Sequence, residues 1–381
     1  MAIYIDISAA VHGRAGLGRY AESLARALVQ EHPERFAFFF NRDRGTSSLV
    51  GLESVPTRTV CAGYKPWRMA IWLGQLLGLG FERLVPEAEL YHATEHLLLP
   101  LKRVPTVLTV HDLIYHLFPE HHKPLNYWFL NLAMPLFVQR ARAVIAVSES
   151  TRRDLIRCYS VHPDKVTVVH EAAAPHFRPA PPEAIAAVRA RYGLPESFIL
   201  TVGTIEPRKN FSRLLDALQR LRQKGDDARL VVVGSKGWLY EGFFRRLEEL
   251  QLGDAVLLPG YVLDADLPAV YSAATLCVLP SLYEGFGLSV LEAMACGAAV
   301  VCSRASSLPE VGGDAAHYFD PTDVEEMAET IGTVWHDESL RAEMGRRGLA
   351  QAARFSWARA AEETMAVYRR AMGSRSEAWG A

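Results

Sequence analysis

"SLYEGFGLSVLEAMACGAAVV", residues 281–301, carries the signals that decide the fold. An apolar run from Ala274 to Pro280 stops just before it, and Gly285 and Gly287 punctuate a turn. A segment of helical character follows, and a second apolar run, "AAVVC" (298–302), begins where that segment ends. Strand, turn, helix and strand in this order argue for a parallel sheet covered on both faces. Two carboxylates, Glu284 and Glu292, stand eight positions apart across the turn. At helical rise that spacing is ~12 Å, too far for an acid–base dyad on one bond. It suits a carboxylate at each end of an elongated ligand. The plainer reading is one capping and one exposed glutamate, which leaves the two turn glycines unexplained.

The same alternation runs outward in both directions. Buried strands are expected at 3–8, 36–40, 106–110, 143–147 and 166–169, and again at 198–203, 229–234, 255–260, 276–280 and 298–302. Between them lie helical patterns such as "NFSRLLDALQRLRQKG", where Phe211, Leu214, Leu215, Leu218 and Leu221 form one stripe. At 381 residues the chain is long for one core, so two domains are expected. The composition breaks at "APHFRPAPPE" (174–183), with four prolines in ten residues, which reads as the linker. Each side then holds one doubly wound sheet.

Half the residues are apolar, 22% are charged and the net charge is −2, which offers no electrostatic case for nucleic acid. The first part, residues 1–175, carries 19 Lys/Arg against 16 Asp/Glu and ten of the thirteen histidines, which suits anionic partners or, equally, a solvated face. The start lacks the pattern of a signal peptide, and no apolar run reaches the ~18 residues of a spanning helix. Five cysteines without a CxxC pair read as buried thiols of a cytoplasmic protein.

Several motifs fall where such sheets bind ligands. Arg208 and Lys209 sit between an expected strand and the helix starting near Asn210, a place suited to a diphosphate. Solvated loop cations are the alternative. "GLGRYA" (16–21) fits the dinucleotide fingerprint between the first strand and the first helix, so an NAD-dependent oxidoreductase is a rival reading. Asp43 falls near the position of the ribose carboxylate, though beyond the apolar run. His111 and Asp112 end the strand "TVLTV", where an imidazole can meet a sugar hydroxyl or simply close a strand. His116, His121 and His122 have no ligand spacing, and Asp264-Ala265-Asp266 reads as the capped first turn of a helix, so no metal is expected.

Taken in order, "TVGTIEPRKN", "VVVG", "PGYV", "PSLYEGFGLSVLEAMACGAAVV" and "SLPEVGG" closely resemble the retaining glycosyltransferases of the group 1, family 4 type, among them bacterial mannosyltransferases. "GLGRY", "VHD" and "VSESTRRDL" extend the resemblance over nearly the whole chain. It implies the GT-B fold, two Rossmann-like doubly wound domains facing across a cleft. Residues 1–175 would form the acceptor side, 176–355 the donor domain, and 356–381 a helix crossing back to the first domain. It implies that Arg208 and Lys209 hold the donor diphosphate, Glu292 the ribose, and Glu284 the transferred sugar. Phe286, Gly287 and Leu288 would line the sugar and phosphate pocket, with Val262 at the nucleobase. Gly16 and Gly18 match a loop over the phosphates, and His111 the histidine beside the reacting carbon. Where relatives commonly carry Asn-Gly after the last strand of the first domain, this chain reads His170-Glu171.

The implied reaction moves a sugar, mannose from GDP-mannose by this resemblance, to a hydroxyl of a glycan or lipid-linked saccharide, with retention and without metal or cofactor. A non-catalytic sugar-nucleotide-binding protein is the third reading, and it gives no reason for both His111 and Glu284. Two uncharged stretches, "WRMAIWLGQLLGLGF" (67–81, charge-free from Met69) and "PLNYWFLNLAMPLFV" (124–138), are expected as core helices. The alternative is that one of them rests on the inner face of a membrane and delivers the acceptor.

Overall fold

The computed structural model describes residues 2–43, 45–121 and 123–373, and His122 and the end of the expected crossing segment lie outside them. The chain forms two compact units, one from Met1–Glu171 together with the segment beginning at Ser356, the other Ala172–Phe355. The first holds β1 (Ala2–Asp6), β2 (Phe36–Arg42), β3 (Thr57–Cys61), β4 (Ala88–Ala93), β5 (Thr106–Val110), β6 (Ala143–Ala146) and β7 (Val166–Val168). They lie in the order β3-β2-β1-β4-β5-β6-β7, and every pairing is parallel. The second holds β8 (Ile199–Val202), β9 (Leu230–Val233), β10 (Val256–Gly260), β11 (Leu276–Leu279), β12 (Val300–Ser303) and β13 (Ala316–Phe319). Their order is β10-β9-β8-β11-β12-β13, again all parallel. Strand order reverses beside β1 and β4 in the first sheet and beside β8 and β11 in the second. Such switch points open a crevice at the carboxyl edge of the sheet, where ligands bind.

Three strands escape the apolar-run criterion for three reasons. β3, "TRTVC", is an edge strand with most of its side chains exposed, so it needs no apolar run. β4 is central, but its His92 is fully buried and hydrogen-bonded to Tyr368 and Thr109. β13 is a four-residue edge strand. The predicted stripe of the helix Phe211–Gln223 is buried entire, each side chain contributing about 1.5–3 kcal/mol by burial.

The proline-rich stretch is not a free linker. Glu171 still belongs to the first unit, where it meets His111. Beyond it, Phe177 packs its ring against Tyr271, and Ser272 Oγ accepts the Ala180 amide at 3.0 Å, so the prolines are packed onto the second unit. The helix Trp357–Met372 lies in the first unit, with Trp357 edge-on to Tyr20 and Tyr368 Oη 2.6 Å from His92 Nδ1.

The two uncharged stretches form the helices Tyr64–Leu76 and Pro124–Arg140, and the expectation of core helices holds for only one side of each. Trp67 and Ile71 are buried, as are Leu130, Met134, Phe137 and Val138. Met69, Leu73, Leu76, Leu77 and Leu79 are exposed, with Leu125, Trp128 and Leu132. Arg68 ties the two helices, its guanidinium 3.8 Å from the Phe129 ring centre and 3.0 Å from Asn126 Oδ1.

Candidate active site

In the second unit the chain leaves β8, crosses Glu206 and makes a 3-10 turn over Pro207–Lys209. Asn210 ends that turn in the left-handed region (φ 59°) and donates from Nδ2 to the carbonyls of Pro280 and Pro321. The turn is thereby pinned to the carboxyl end of β11. Arg208 donates to the Tyr283 carbonyl at 3.0 Å, to Glu284 Oε2 at 2.7 Å and to Glu206 Oε1 at 2.6 Å. Lys209 Nζ and Ser281 Oγ both donate to Glu284 Oε1 at 2.6 Å. Burial opposes the charge on Glu284, but Arg208 and Lys209 overcome it and hold the carboxyl at about 2. Two cations and a hydroxyl therefore converge on one buried carboxylate at the switch point of the sheet.

The backbone beyond Glu284 is shaped for close approach. Ser306 Oγ accepts the Glu284 amide, and Ser307 Oγ donates to the carbonyls of Glu284 and Phe286. Gly287 has φ +107°, and a Cβ there would lie 2.8 Å from Leu308 Cδ2, so any other residue would be strained. Leu288 then opens the helix Leu288–Ala295, whose first amides have no intrahelical partner. Glu292, buried in that helix, accepts from Tyr271 Oη at 3.1 Å. Glu284 and Glu292 thus serve different neighbours. Val262, buried, follows β10 at the same edge of the sheet. Spacing did not reveal Glu206, Ser281 or Tyr271: the first two meet Arg208 and Glu284 inside their own turns, and Tyr271 reaches Glu292 only by the packing of separate elements.

The Asp264-Ala265-Asp266 reading needs correction. Asp266 does stand at the N-cap of the helix Leu267–Ala273, but its side chain makes no capping bond. It accepts instead from Arg191 Nη1 and Tyr192 Oη, while Asp264 pairs with His176 at 3.0 Å. No cluster able to hold a metal occurs among the described residues.

In the first unit His111 follows β5. Its Nδ1 lies 3.1 Å from Glu171 Oε1 and its Nε2 2.9 Å from the Thr94 carbonyl, and Tyr20 meets the ring edge-on at 4.6 Å. Beside it, Arg14 pairs with the buried Glu95, whose carboxyl burial pushes up to about 7. Arg14 also lies 4.0 Å over the Tyr64 ring. Gly16 and Gly18 are not in a loop, as the fingerprint requires, but in the first turn of the helix Ala15–Glu31. A short helix, Ser8–Val11, stands between them and β1, so the glycines are not at the strand's end. Gly18 is required by packing, since a Cβ would lie 2.9 Å from the Ala9 carbonyl, whereas Gly16 faces open space. Asp43 Oδ2 accepts the Tyr64 amide at 3.2 Å. These features weaken the dinucleotide reading.

Residues 187–351 match the family model described as glycosyl transferases group 1, and residues 14–175 that of glycosyltransferase family 4. The chain is 31% identical over 369 residues to the O-antigen chain mannosyltransferase B of Escherichia coli, covering 93% of this chain and 96% of that one. It is 34% identical over 289 residues to the Escherichia coli serotype-specific mannosyltransferase WbdA, covering 73% of this chain and 35% of that longer protein. Among solved structures, the Anabaena protein HepE in complex with UDP-glucose superimposes with a TM-score of 0.76 at 20% identity, covering 97% of this chain and 100% of that one. The sucrose-phosphate synthase of Thermosynechococcus elongatus does so with 0.76 at 20% identity, over 97% and 99%.

Proposed function

The chain belongs to the group 1, family 4 glycosyltransferases and has the GT-B fold, and from that premise we propose that it transfers mannose from GDP-mannose to a hydroxyl of a glycan or lipid-linked saccharide. The observation that carries the reading is the convergence of Arg208 and Lys209 on Glu284 at the carboxyl edge of β8 and β11. In this reading the donor diphosphate takes the place of the carboxylate between the two cations, and Glu284, released toward the sugar, accepts from its hydroxyls. Glu292 holds the ribose, and the backbone of Phe286, Gly287 and Leu288 lines the sugar and phosphate pocket. Val262 meets the base with main-chain groups. In the first unit Gly16 leaves room for the phosphates and His111 stands beside the reacting carbon.

We assign retention with same-face attack. The bond from the anomeric carbon to the phosphate oxygen breaks, the acceptor oxygen bonds to that carbon on the same face, and the acceptor proton goes to the leaving phosphate. Arg208, Lys209 and the N-terminus of the helix Leu288–Ala295 stabilise the charge on that phosphate. Mannose is supported by the names of the relatives, and guanine is the base expected with it. Transfer should proceed undiminished in EDTA, because the side-chain cations already neutralise the diphosphate. Radiolabelled GDP-mannose, UDP-glucose and ADP-glucose, each with EDTA and with Mn²⁺, test donor and metal together. A reaction seen only with Mn²⁺ or Mg²⁺ would remove the metal-independent mechanism.

A membrane contact is part of the same proposal. No helix among the described residues is long and apolar enough to cross a bilayer. The helices Tyr64–Leu76 and Pro124–Arg140 nonetheless expose neighbouring apolar side chains, with Lys65 and Lys123, both exposed, at their starts. Apolar residues beside basic ones fit an anionic bilayer surface. Anionic liposomes should carry the protein in flotation at low salt and lose a Leu73→Ser, Trp128→Ser variant. Wild-type protein that never floats would leave a soluble acceptor.

A further inference from the structure

Glu171 lies just beyond β7 and faces His111, and the geometry of that pair restricts what the histidine can do. Glu171 is 4% exposed, and its Oε1 faces His111 Nδ1 at 3.1 Å. On the other side, His111 Nε2 faces the Thr94 carbonyl at 2.9 Å. A carbonyl only accepts, and so does a carboxylate when ionised, and in that state of Glu171 both ring nitrogens donate. The ring is held in that plane by Tyr20, edge-on at 4.6 Å, and its backbone carbonyl accepts from Thr151 Oγ1 at 3.0 Å.

We propose that Glu171 is a positioning residue for the transfer reaction, holding His111 as a doubly donating imidazolium that serves as a fixed positive charge and not as a proton acceptor. The inference rests on the placement of His111 beside the reacting carbon. It accounts for the route of the acceptor proton, which must leave to the phosphate because His111 has no lone pair to offer.

The surroundings agree with this charge state. Burial disfavours the imidazolium, but the Glu171 bond and charge, the Thr94 carbonyl and Asp112 outweigh it and raise the pKa. The other groups that interact with His111 add little positive charge at neutral pH. Burial lowers His92 and His96 to about 3, and it raises Glu95 to about 7, beside Arg14. A raised histidine pKa stabilises the fold below the ordinary value and loses that contribution as pH rises through the raised one.

Glu171→Gln should lower the His111 pKa, and each unit of that drop cuts the protonated fraction about tenfold at pH above both values. Site-resolved NMR titration of the ligand-free protein reads this directly, with no substrate present, so it stands apart from any error in the assigned donor. In turnover, kcat of the Gln variant should fall at alkaline pH and recover toward acid pH. The donor KM should change less than about twofold, because the donor cations are in the other unit. Glu171→Asp should restore part of the alkaline activity. An unshifted His111 titration, or superimposable pH profiles, would overturn the proposal. Should the Gln variant not fold, the ¹⁵N spectrum of the wild type decides: both His111 ring nitrogens protonated at pH 7 support it, and one bare nitrogen refutes it.

Discussion

Arg208→Ala with Lys209→Ala should weaken binding of GDP or GDP-mannose by about 10²–10⁴-fold, since two charge-assisted contacts of about 1.5–3 kcal/mol each are removed. From the sequence alone these are loop residues whose loss spares the fold. The structure changes that expectation. Arg208 bridges Glu206 and Glu284, whose side chains are 2% and 9% exposed, so the variant leaves two buried carboxylates without their cation. Breaking such a pair costs about 3–5 kcal/mol, and the melting temperature should fall with it. Adding Glu284→Gln to the double variant should recover stability without recovering nucleotide binding. Calorimetric titration with GDP beside thermal melts checks both parts. Wild-type affinity in the double variant would remove the cation site altogether.

Glu284→Gln alone should lower kcat by about 10²–10³-fold while the nucleoside diphosphate still binds, because the cations remain and lose their internal competitor. The same variant has a pH signature. With its folded carboxyl near 2, Glu284 contributes stability that is fully present above the ordinary glutamate pKa. That contribution, of order 3 kcal/mol, is lost as pH falls through about 2. Acid unfolding of the Gln variant should therefore be flatter between pH 4.5 and 2 than that of the wild type. Its activity profile should gain no new limb near neutrality. Equal losses of turnover and of affinity for the sugar-free nucleotide would reassign Glu284 to diphosphate binding.

Much of the second unit was legible in the chain. Apolar strands such as "LCVL" and "LVVV", buried on both faces, announce a parallel sheet without reference to anything distant. Gly287 marks a turn that favours glycine, and Arg208-Lys209 follows a strand end at the place where such sheets bind anions. Motifs of this kind are local, so spacing conveys them. β4 was hidden because its polar His92 is satisfied by Thr109 on the neighbouring strand and by Tyr368, more than two hundred residues away. Likewise, "GLGRYA" has the letters of a dinucleotide loop, but the short helix Ser8–Val11 displaces it from the strand's end.

What the sequence by itself determined is the alternation of apolar strands with helices, the two parallel sheets it implies and the residues at the carboxyl ends of those strands, since period, glycine geometry and chain direction are properties of neighbouring residues. Which charges meet was decided by tertiary structure alone. Glu284 faces Arg208 and Lys209, Glu171 faces His111, and Asp266 turns from its cap to Arg191 and Tyr192. Those pairings join loops at the ends of different elements, and their strength depends on burial that exists only once the sheets and helices have packed.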